Sequence, residues 1–220
     1  QTVRIAVGAD WDAAPAGRSV TTIHIETAAG EQLAVQLPVE KSANDPPRNF
    51  RGFVESDRTI AIEAPHYSRV VNANDAKWKT LANFGRTEGG VTVYPVTAAT
   101  RRLDSKTPRL EYDFFAQSTG DVRVELHCAP SLDFQSGEGL QIAVSIDEGK
   151  PQVLKLETYA KENWERAVAE NIRRIVSTHA LDKPGVHTLK VWMVTPGVEL
   201  ERIVIDAGGG RPCYLGPPVT

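Results

Sequence analysis

The chain has 220 residues, of which 41% are hydrophobic and 24% are charged, as is usual for a globular protein. Its formal net charge of -3 gives no electrostatic case for binding nucleic acid, which requires a concentrated basic surface. No apolar run approaches the ~20 residues that a membrane-spanning helix needs, so we expect no membrane partner either. The chain starts at Gln1 without an initiator Met or a signal peptide, which we interpret as a mature or excised piece.

The N-terminal part contains three runs in which apolar and polar residues alternate, the pattern of half-buried strands. They read VRIAVGADW, TTIHIETA and EQLAVQLPVE, and turn signals separate them. Three strands are about half of the seven that an immunoglobulin-like sandwich needs. We therefore predict that residues 1–40 form a β-stranded, immunoglobulin-like segment. It either docks on the following domain or pairs with strands upstream of Gln1.

A polar segment follows, KSANDPPRNFRG at residues 41–52, with two consecutive prolines and no apolar periodicity. This composition is typical of a stiff linker between domains. It predicts a linker over 41–52 and a main domain over residues 53–220.

The main domain consists of short strand-like runs punctuated by Gly, Pro, Asn and Asp. The runs are TIAIEA, GVTVYPV, RLEYDFFA, DVRVELHCA, LQIAVSID, QVLKLET, NIRRIVSTHAL and a final hairpin. Short strands at this spacing predict an all-β fold, an antiparallel β-sandwich of the jelly-roll type. Only NWERAVAENIRRI has helical spacing, through Trp164, Val168 and Ile172, and we predict one or two helical turns there.

The final hairpin, PGVHTLKVWMVTPGVELERIVID at residues 184–206, is the unit on which we expect the sheets to close, because a two-stranded ribbon is not stable alone. Its first strand alternates, so that one face carries Val186, Thr188, Lys190 and Trp192 and the other carries His187, Leu189, Val191 and Met193. Because Trp192 stands in mid-strand beside Met193, we interpret it as a core residue.

Motifs of catalysis are absent from the sequence. There is no G-x-S-x-G elbow, no H-E-x-x-H metal pair and no glycine-rich loop ahead of a helix. The five histidines are scattered, and no two carboxylates are paired for glycoside hydrolysis. We therefore predict that this chain is not itself an enzyme.

Trp78 is the most informative candidate for a binding residue, since it stands in the polar, loop-like stretch NANDAKWKTLANFGR. An exposed ring could stack on the apolar face of a pyranose, whereas a packed ring would plug one end of the sandwich, and both remain open. Arg86 could pair bidentately with the carboxylate of a uronic acid. Tyr67, Asn83 and Tyr94 are close in sequence and complete the predicted carbohydrate site.

Several segments of the main domain resemble one known family. They are FVESDRTIAIEAPHYSR, GRTEGGVTVYP, RLEYDF, GLQIAVSIDEGKPQ, PGVHTLKVWMVTPGVELERIVIDAGG and CYLGPP. In this order they resemble the C-terminal domain of family 115 glycoside hydrolases, bacterial xylan α-glucuronidases, whose catalytic barrel has no counterpart here. The resemblance implies a secreted or periplasmic accessory domain, similar to carbohydrate-binding modules, that holds a xylan-degrading enzyme on xylan or glucuronoxylan.

A role from another class stays open beside it. In family 115 the C-terminal domain takes part in subunit contacts. The resemblance therefore also implies a structural domain that packs on the upstream catalytic domain, or forms a homodimer, without binding sugar itself.

Two acidic positions resemble a metal site. Glu63 and Glu201 resemble strand ends that hold a structural calcium in carbohydrate-binding modules of families 6 and 35, where an I-E-A-E motif and an Asp supply oxygen ligands. Here Pro65 replaces the second Glu of the motif, and Glu201 replaces the Asp. The resemblance implies a weakened calcium site, and the other interpretation is two solvent-facing strand residues.

The two cysteines, Cys128 and Cys213, are compatible with one disulfide or with two separate thiols. Neither has the spacing of zinc ligands.

Overall fold

The computed structural model describes residues 7–10, 13–42, 44–134, 139–156, 161–211 and 213–220, without the side chains at 161–163. Its contacts divide the chain into two compact units, Gln1–Asp45 and Pro46–Thr220. Within the described ranges, no helix is long and apolar enough to cross a membrane.

The N-terminal unit contains an antiparallel hairpin of β1 (Gly17–Glu26) and β2 (Gln32–Lys41). Its register places Ile23 opposite Val35, so aliphatic side chains from both strands share one face. The strands predicted from TTIHIETA and EQLAVQLPVE are thereby confirmed. The third run, VRIAVGADW, lies largely outside the described residues, and the immunoglobulin-like assignment of residues 1–40 stays a prediction.

The second unit is a sandwich of two six-stranded sheets. The front sheet consists of β3 (Phe53–Val54), β5 (Arg69–Val71), β8 (Arg109–Ala116), β10 (Leu140–Ile146), β11 (Gln152–Leu156) and β13 (Gly185–Met193). Its strand order is β11-β10-β13-β8-β3, and β5 also pairs with β8.

The back sheet consists of β4 (Thr59–Glu63), β6 (Lys77–Ala82), β7 (Gly89–Tyr94), β9 (Gly120–Cys128), β12 (Arg173–Leu181) and β14 (Leu200–Asp206). Its strand order is β12-β9-β14-β7-β6, and β4 also pairs with β14. The described strand pairs are antiparallel apart from β3 with β8, which is parallel. The predicted all-β, antiparallel sandwich is confirmed.

The core lies between the two sheets and follows from the two-residue period of the strands. On β8 the apolar residues Leu110, Tyr112 and Phe114 are fully buried in the core, so the residues that alternate with them lie on the outer face. The neighbouring strand β13 contributes Leu189 and Val191 in the same way. Each such side chain stabilises the fold by about 1.5–3 kcal/mol relative to its exposed state.

One helix, α1 (Lys161–Glu170), lies between β11 and β12, where the helical spacing predicted it. Its ten residues are more than the one or two turns that were expected. The predicted apolar face through Val168 is wrong, because Val168 is exposed and Ala167 is the buried residue.

The predicted linker, residues 41–52, is divided between the two units. Lys41 is the last residue of β2, whereas the residues from Pro46 onward belong to the sandwich unit. There the ring of Phe50 contacts the ring of Phe115 edge-on, with centroids 6.3 Å apart. The linker over residues 41–52 stays a prediction.

Both cysteines are free thiols, so the disulfide is not formed in this structure. Cys128 is buried at the end of β9, and Cys213 is exposed. Burial raises the pKa of the Cys128 thiol well above its usual value, as expected for an unreactive packed thiol.

Candidate functional site

Trp78, the predicted sugar platform, is a core residue. It lies on β6 opposite Val93 of β7, and only 7% of it is exposed. The predicted loop is wrong because Lys77 and Lys79 are the exposed residues of a strand whose inward position is Trp78. A ring this buried offers no face to a sugar. Of the two possibilities left open by the sequence, the packed ring is the one found.

Arg86 is held by groups of the protein. One terminal nitrogen, Nη2, donates to the carbonyl oxygen of Tyr214, and its guanidinium carbon lies 3.8 Å from the centroid of the Tyr214 ring. Its backbone N–H donates to Oε2 of Glu201 over 3.1 Å. Arg86 thus ties the loop between β6 and β7 to the C-terminal segment. Its pairing with a uronic carboxylate stays a prediction.

The other three predicted residues differ in their surroundings. Tyr67 is half-buried and packs against the core. Asn83 is exposed directly after β6 with a φ of +56°, and Tyr94 is exposed at the end of β7 opposite Lys77. Within the described residues, no hydrogen bond or ring contact joins any two of the five predicted sugar-binding side chains. A carbohydrate site that includes Tyr67, Asn83 and Tyr94 stays a prediction.

Glu63 and Glu201, the predicted metal ligands, do come together, because β4 and β14 are neighbours in the back sheet. Both are buried, so the interpretation as solvent-facing residues is wrong. A register shift between Leu200 and Arg202 accompanies the placement of Glu201. The loop between β6 and β7 approaches at Gly85, where a Cβ would overlap the Glu201 carboxyl group. The φ of +77° there also requires glycine.

The two carboxylates have different partners. Oε1 of Glu63 lies 2.9 Å from Nη1 of Arg202, and Oε2 of Glu63 accepts a hydrogen bond of 2.5 Å from Oγ1 of Thr87. Oε2 of Glu201 accepts from the Arg86 backbone, whereas its Oε1 is buried without a partner in the described structure. Burial raises the pKa of Glu201; the charge of Glu63 adds to the rise, and Arg86 opposes it.

This donor set fits a cation at one of the two carboxylates. A buried carboxylate oxygen without a donor is costly, and a cation at Oε1 of Glu201 would relieve that cost. At Glu63 the guanidinium of Arg202 already supplies positive charge. Within the described ranges no group of three or more His, Cys, Asp or Glu could hold a metal ion. Further ligands would have to be backbone, hydroxyl or water oxygens.

The front sheet carries a polar groove on its outer face, which the sequence analysis did not predict. Two clefts of about 330 and 430 Å³ form it, and both are lined by Arg109, Asp147, Glu148 and Lys190. We call this surface the front groove and define it by these four residues together with Arg69, Glu111, Ser145, Thr188 and Trp192. Its size is within the ~300–1,000 Å³ of small-ligand sites.

Strand register explains why these side chains meet. On β8 and β13, Arg109 lies opposite Trp192 and Glu111 lies opposite Lys190. On β10, Ser145 lies opposite Lys190 from the other side. Directly opposed residues of an antiparallel pair share a face, so one row of polar side chains crosses three strands.

Trp192 lies on this outer face and is half-buried, so its interpretation as a core residue is wrong. Its indole Nε1 donates to Oγ of Ser145 over 2.9 Å. The guanidinium carbon of Arg109 lies 4.8 Å from the ring centroid. The signal was present in the alternation, because Trp192 shares its face with Thr188 and Lys190 while Met193 belongs to the core.

Ion pairs fix the arginines of the groove. Arg69 contacts Glu111 through Nε over 2.8 Å and Asp113 through both terminal nitrogens, and Arg109 contacts Glu111 over 2.7 Å. Burial alone would raise the pKa of Glu111, but the hydrogen bonds from Arg69 and Arg109 hold it below its usual value. The same two influences act on Asp113: burial raises its pKa, and the hydrogen bonds from Arg69 and Thr188 lower it. The pKa of Asp113 is therefore also below its usual value.

Lys190 has a looser partner. Its Nζ lies 2.7 Å from Oε1 of Glu148, in the turn between β10 and β11. The neighbouring Asp147 is held firmly, since Oδ1 accepts from the Thr188 backbone over 2.9 Å and Oδ2 lies 2.7 Å from Nδ1 of His187. The groove thus combines a half-buried indole with fixed hydrogen-bonding groups and one lysine at its centre, which suits a ligand rich in hydroxyl groups.

Comparison with known proteins identifies the family. The model of the glycosyl hydrolase family 115 C-terminal domain matches residues 52–219. No curated protein matches the chain in sequence.

Three solved structures are similar in fold. The 4-O-methyl-α-glucuronidase BtGH115A, described as specific for decorated arabinogalactans, has a TM-score of 0.48 and 19% identity over 76% of this chain and 19% of its own. The Podospora anserina GH26-CBM35 β-(1,4)-mannanase has a TM-score of 0.46 and 11% identity over 71% of this chain and 29% of its own. The CBM35 from Paenibacillus barcinonensis has a TM-score of 0.43 and 18% identity over 67% of this chain and 98% of its own.

The chain thus spans about a fifth of the length of the first of these enzymes. Because the family model covers most of the sandwich unit, the chain belongs to the glycosyl hydrolase family 115 C-terminal domains.

Proposed function

We propose that this chain is a non-catalytic, carbohydrate-binding accessory domain of a xylan-degrading enzyme and that it binds xylan or glucuronoxylan in the front groove. The observation that carries the proposal is the placement of Trp192 on the outer face of the front sheet, between Arg109 and Ser145. A pyranose has an apolar C–H face, for which an indole is the usual partner, and hydroxyl groups that need hydrogen bonds.

The groove supplies both kinds of contact. Beside Trp192 it presents charged and hydroxyl groups that are already held in place by one another, notably Arg109 on Glu111 and Asp147 on the Thr188 backbone. Groups fixed in advance lose little conformational entropy when a ligand binds. A role in binding polysaccharide, with the catalytic domain of the parent enzyme as covalent partner, fits the family of the chain. A secreted or periplasmic location is part of the same proposal.

A second candidate function is a scaffold that packs on the catalytic domain or forms a homodimer. The observation in its favour is the C-terminal segment, where Tyr214, Leu215 and Val219 are 64%, 49% and 45% exposed. Exposed apolar side chains that lie close together are a common feature of protein interfaces. A concentration-dependent increase in mass by analytical ultracentrifugation would support the homodimer.

We propose in addition a structural calcium ion bound weakly at Glu201 and Glu63. The support is the buried, unpartnered Oε1 of Glu201 and the position of Glu63 on the neighbouring strand β4. When bound, the ion would supply the positive charge that Glu201 lacks, joining β14 to the loop between β6 and β7.

Affinity electrophoresis of the 220-residue chain tests the carbohydrate-binding function. Gels that contain glucuronoxylan, unsubstituted xylan or no polysaccharide are run side by side. Retardation in the xylan gels is the expected result. Equal mobility in all three would contradict sugar binding and leave the scaffold as the proposed function.

A further inference from the structure

We propose that Lys190 selects acidic over neutral xylan chains and that the carboxylate of Glu148 is an internal competitor for the carboxylate of the ligand. This inference rests on the proposed function and names the residue that would determine its specificity. Arg86, for which the sequence predicts pairing with a uronic carboxylate, lies instead in the loop between β6 and β7 of the back sheet.

Lys190 is placed by rigid structure. It lies on β13, which is hydrogen-bonded to β10 on one side and β8 on the other, and its side chain is only 13% exposed. Both clefts of the front groove are lined by it. Its ammonium group is therefore held at the centre of the groove by the packing of its own stem.

Glu148, the partner of Lys190, is by contrast almost fully exposed. Glu148 belongs to the turn after β10, and its side chain is 96% exposed. An exposed ion pair of this kind contributes little, because water screens it and the long side chain must be ordered to form it. Glu148 can leave Lys190 at small cost, and a ligand carboxylate can take its place without leaving the ammonium unpaired.

The other cations of the groove are not available in this way. Arg69 and Arg109 both contact Glu111, whose side chain is 11% exposed, and Arg69 also contacts Asp113, at 19%. A ligand that displaced these partners would leave a largely buried carboxylate without its cation, which is costly. Lys190 is therefore the cation that can exchange one carboxylate for another.

Two variants test the exchange in opposite directions. Glu148→Ala removes the competitor and should raise affinity for a glucuronic-acid-substituted xylotetraose by about 1.5- to 5-fold, the range for an exposed ion pair. Lys190→Met keeps most of the stem and removes the charge. It should lower that affinity about tenfold and bring it to the level of unsubstituted xylotetraose. Each variant should change the affinity for unsubstituted xylotetraose less than the affinity for the substituted one, because only the substituted ligand offers a carboxylate.

Isothermal titration calorimetry of the full chain with both oligosaccharides measures these changes. Lys150→Met is the matched control. Lys150 lies in the same turn as Glu148, but its side chain does not line the groove. It should leave both affinities unchanged. Should Lys190→Met fail to fold, the Glu148→Ala measurement decides, since truncating a side chain that is 96% exposed leaves the core intact.

The outcomes separate this inference from the proposed function. A wild-type chain that binds both oligosaccharides equally, with no gain in Glu148→Ala, would overturn the role of Lys190 and leave xylan binding standing. A wild-type chain that binds neither would overturn both. An equal loss of affinity for both oligosaccharides in Lys190→Met would assign Lys190 to general sugar contacts and also overturn the selectivity.

Discussion

The guanidinium of Arg109 lies over the ring of Trp192, with its central carbon 4.8 Å from the ring centroid. The same guanidinium contacts Glu111 at 2.7 Å, and the far side of the indole is tied to Ser145 by its N–H. Arg109 and Trp192 are directly opposed on β8 and β13. The contact orients an aromatic side chain on the outer face of a sheet, where it is not part of the hydrophobic core.

Trp192→Ala should abolish retention on xylan gels while leaving most of the stability. A half-buried ring on an outer face contributes less than a core Trp, whose truncation costs about 3–5 kcal/mol. Affinity electrophoresis and urea unfolding measure the two effects. Retention equal to that of the wild type would remove Trp192 from the site.

Trp78→Ala should give the reverse pattern, destabilising the chain by about 3–5 kcal/mol because Trp78 is a core residue. Trp78→Phe is the matched variant. It retains an aromatic ring and removes the indole N–H, which is buried without a hydrogen-bond partner in the described structure. Its cost should be clearly smaller, since loss of an unsatisfied polar group offsets part of the lost packing. Urea midpoints at constant m-value check this, and equal costs for the two variants would contradict it.

Glu201→Gln should stabilise the calcium-free chain at pH 7. The pKa of Glu201 is raised in the folded state. The folded state therefore loses stability as the pH rises from the ordinary pKa of Glu to the raised pKa of Glu201, because the buried carboxyl group has to ionise. A neutral amide avoids that cost. Below the ordinary Glu pKa, where Glu201 is protonated in both states, the difference from the wild type should disappear.

Glu111→Gln is the control of opposite sign for Glu201→Gln, because the pKa of Glu111 is lowered. The stabilisation from Glu111 is present above the ordinary Glu pKa and is lost as the pH falls. Glu111→Gln should therefore destabilise at pH 7. Urea unfolding from pH 3 to pH 8 in the presence of a chelator tests both variants. If both variants changed the free energy of unfolding at pH 7 in the same direction, the opposite pKa shifts of Glu201 and Glu111 would be refuted.

Calcium should raise the melting temperature of the wild type, because a ligand that binds only the native state stabilises it by mass action. Differential scanning fluorimetry with millimolar calcium, and again with excess chelator, measures the shift. The Glu201→Gln variant should lose it. A midpoint that is unchanged under both conditions, with no metal by elemental analysis, would retire the calcium proposal.

Limited trypsin digestion should cut after Lys41 before it cuts the sandwich unit. The hairpin ends at Lys41 and the second unit begins at Pro46, and the polar, proline-containing composition around this boundary is typical of a linker, where proteases cut first. Mass spectrometry of the early fragments identifies the first cut. Cleavage inside the strands of the second unit ahead of Lys41 would argue against a linker there.

The fold could be predicted from the sequence to a large extent. Alternation in RLEYDFFA and in residues 184–206 identified the strands, because the two-residue period is a local property of an extended chain. The hairpin predicted for residues 184–206 is wrong, since β13 lies in the front sheet and β14 in the back sheet. The nearness of Glu63 to Glu201 could be anticipated as well, since both resemble strand ends that hold a structural calcium in carbohydrate-binding modules of families 6 and 35. Their burial and the competing contact from Arg202 could not, because these depend on packing against other strands.

The two tryptophans show what only the tertiary structure decided. Alternation divides Trp192 from Met193 and Trp78 from its lysine neighbours, but it does not say which face of a strand meets the other sheet. For Trp78 the sequence left an exposed and a packed ring open, and the structure places it in the core, whereas Trp192 was expected in the core and lines the front groove. The groove itself joins β8, β10 and β13, which are far apart in sequence. Their register is determined by long-range pairing in the sheet, so the sequence determined the strands while the tertiary structure decided where the site lies.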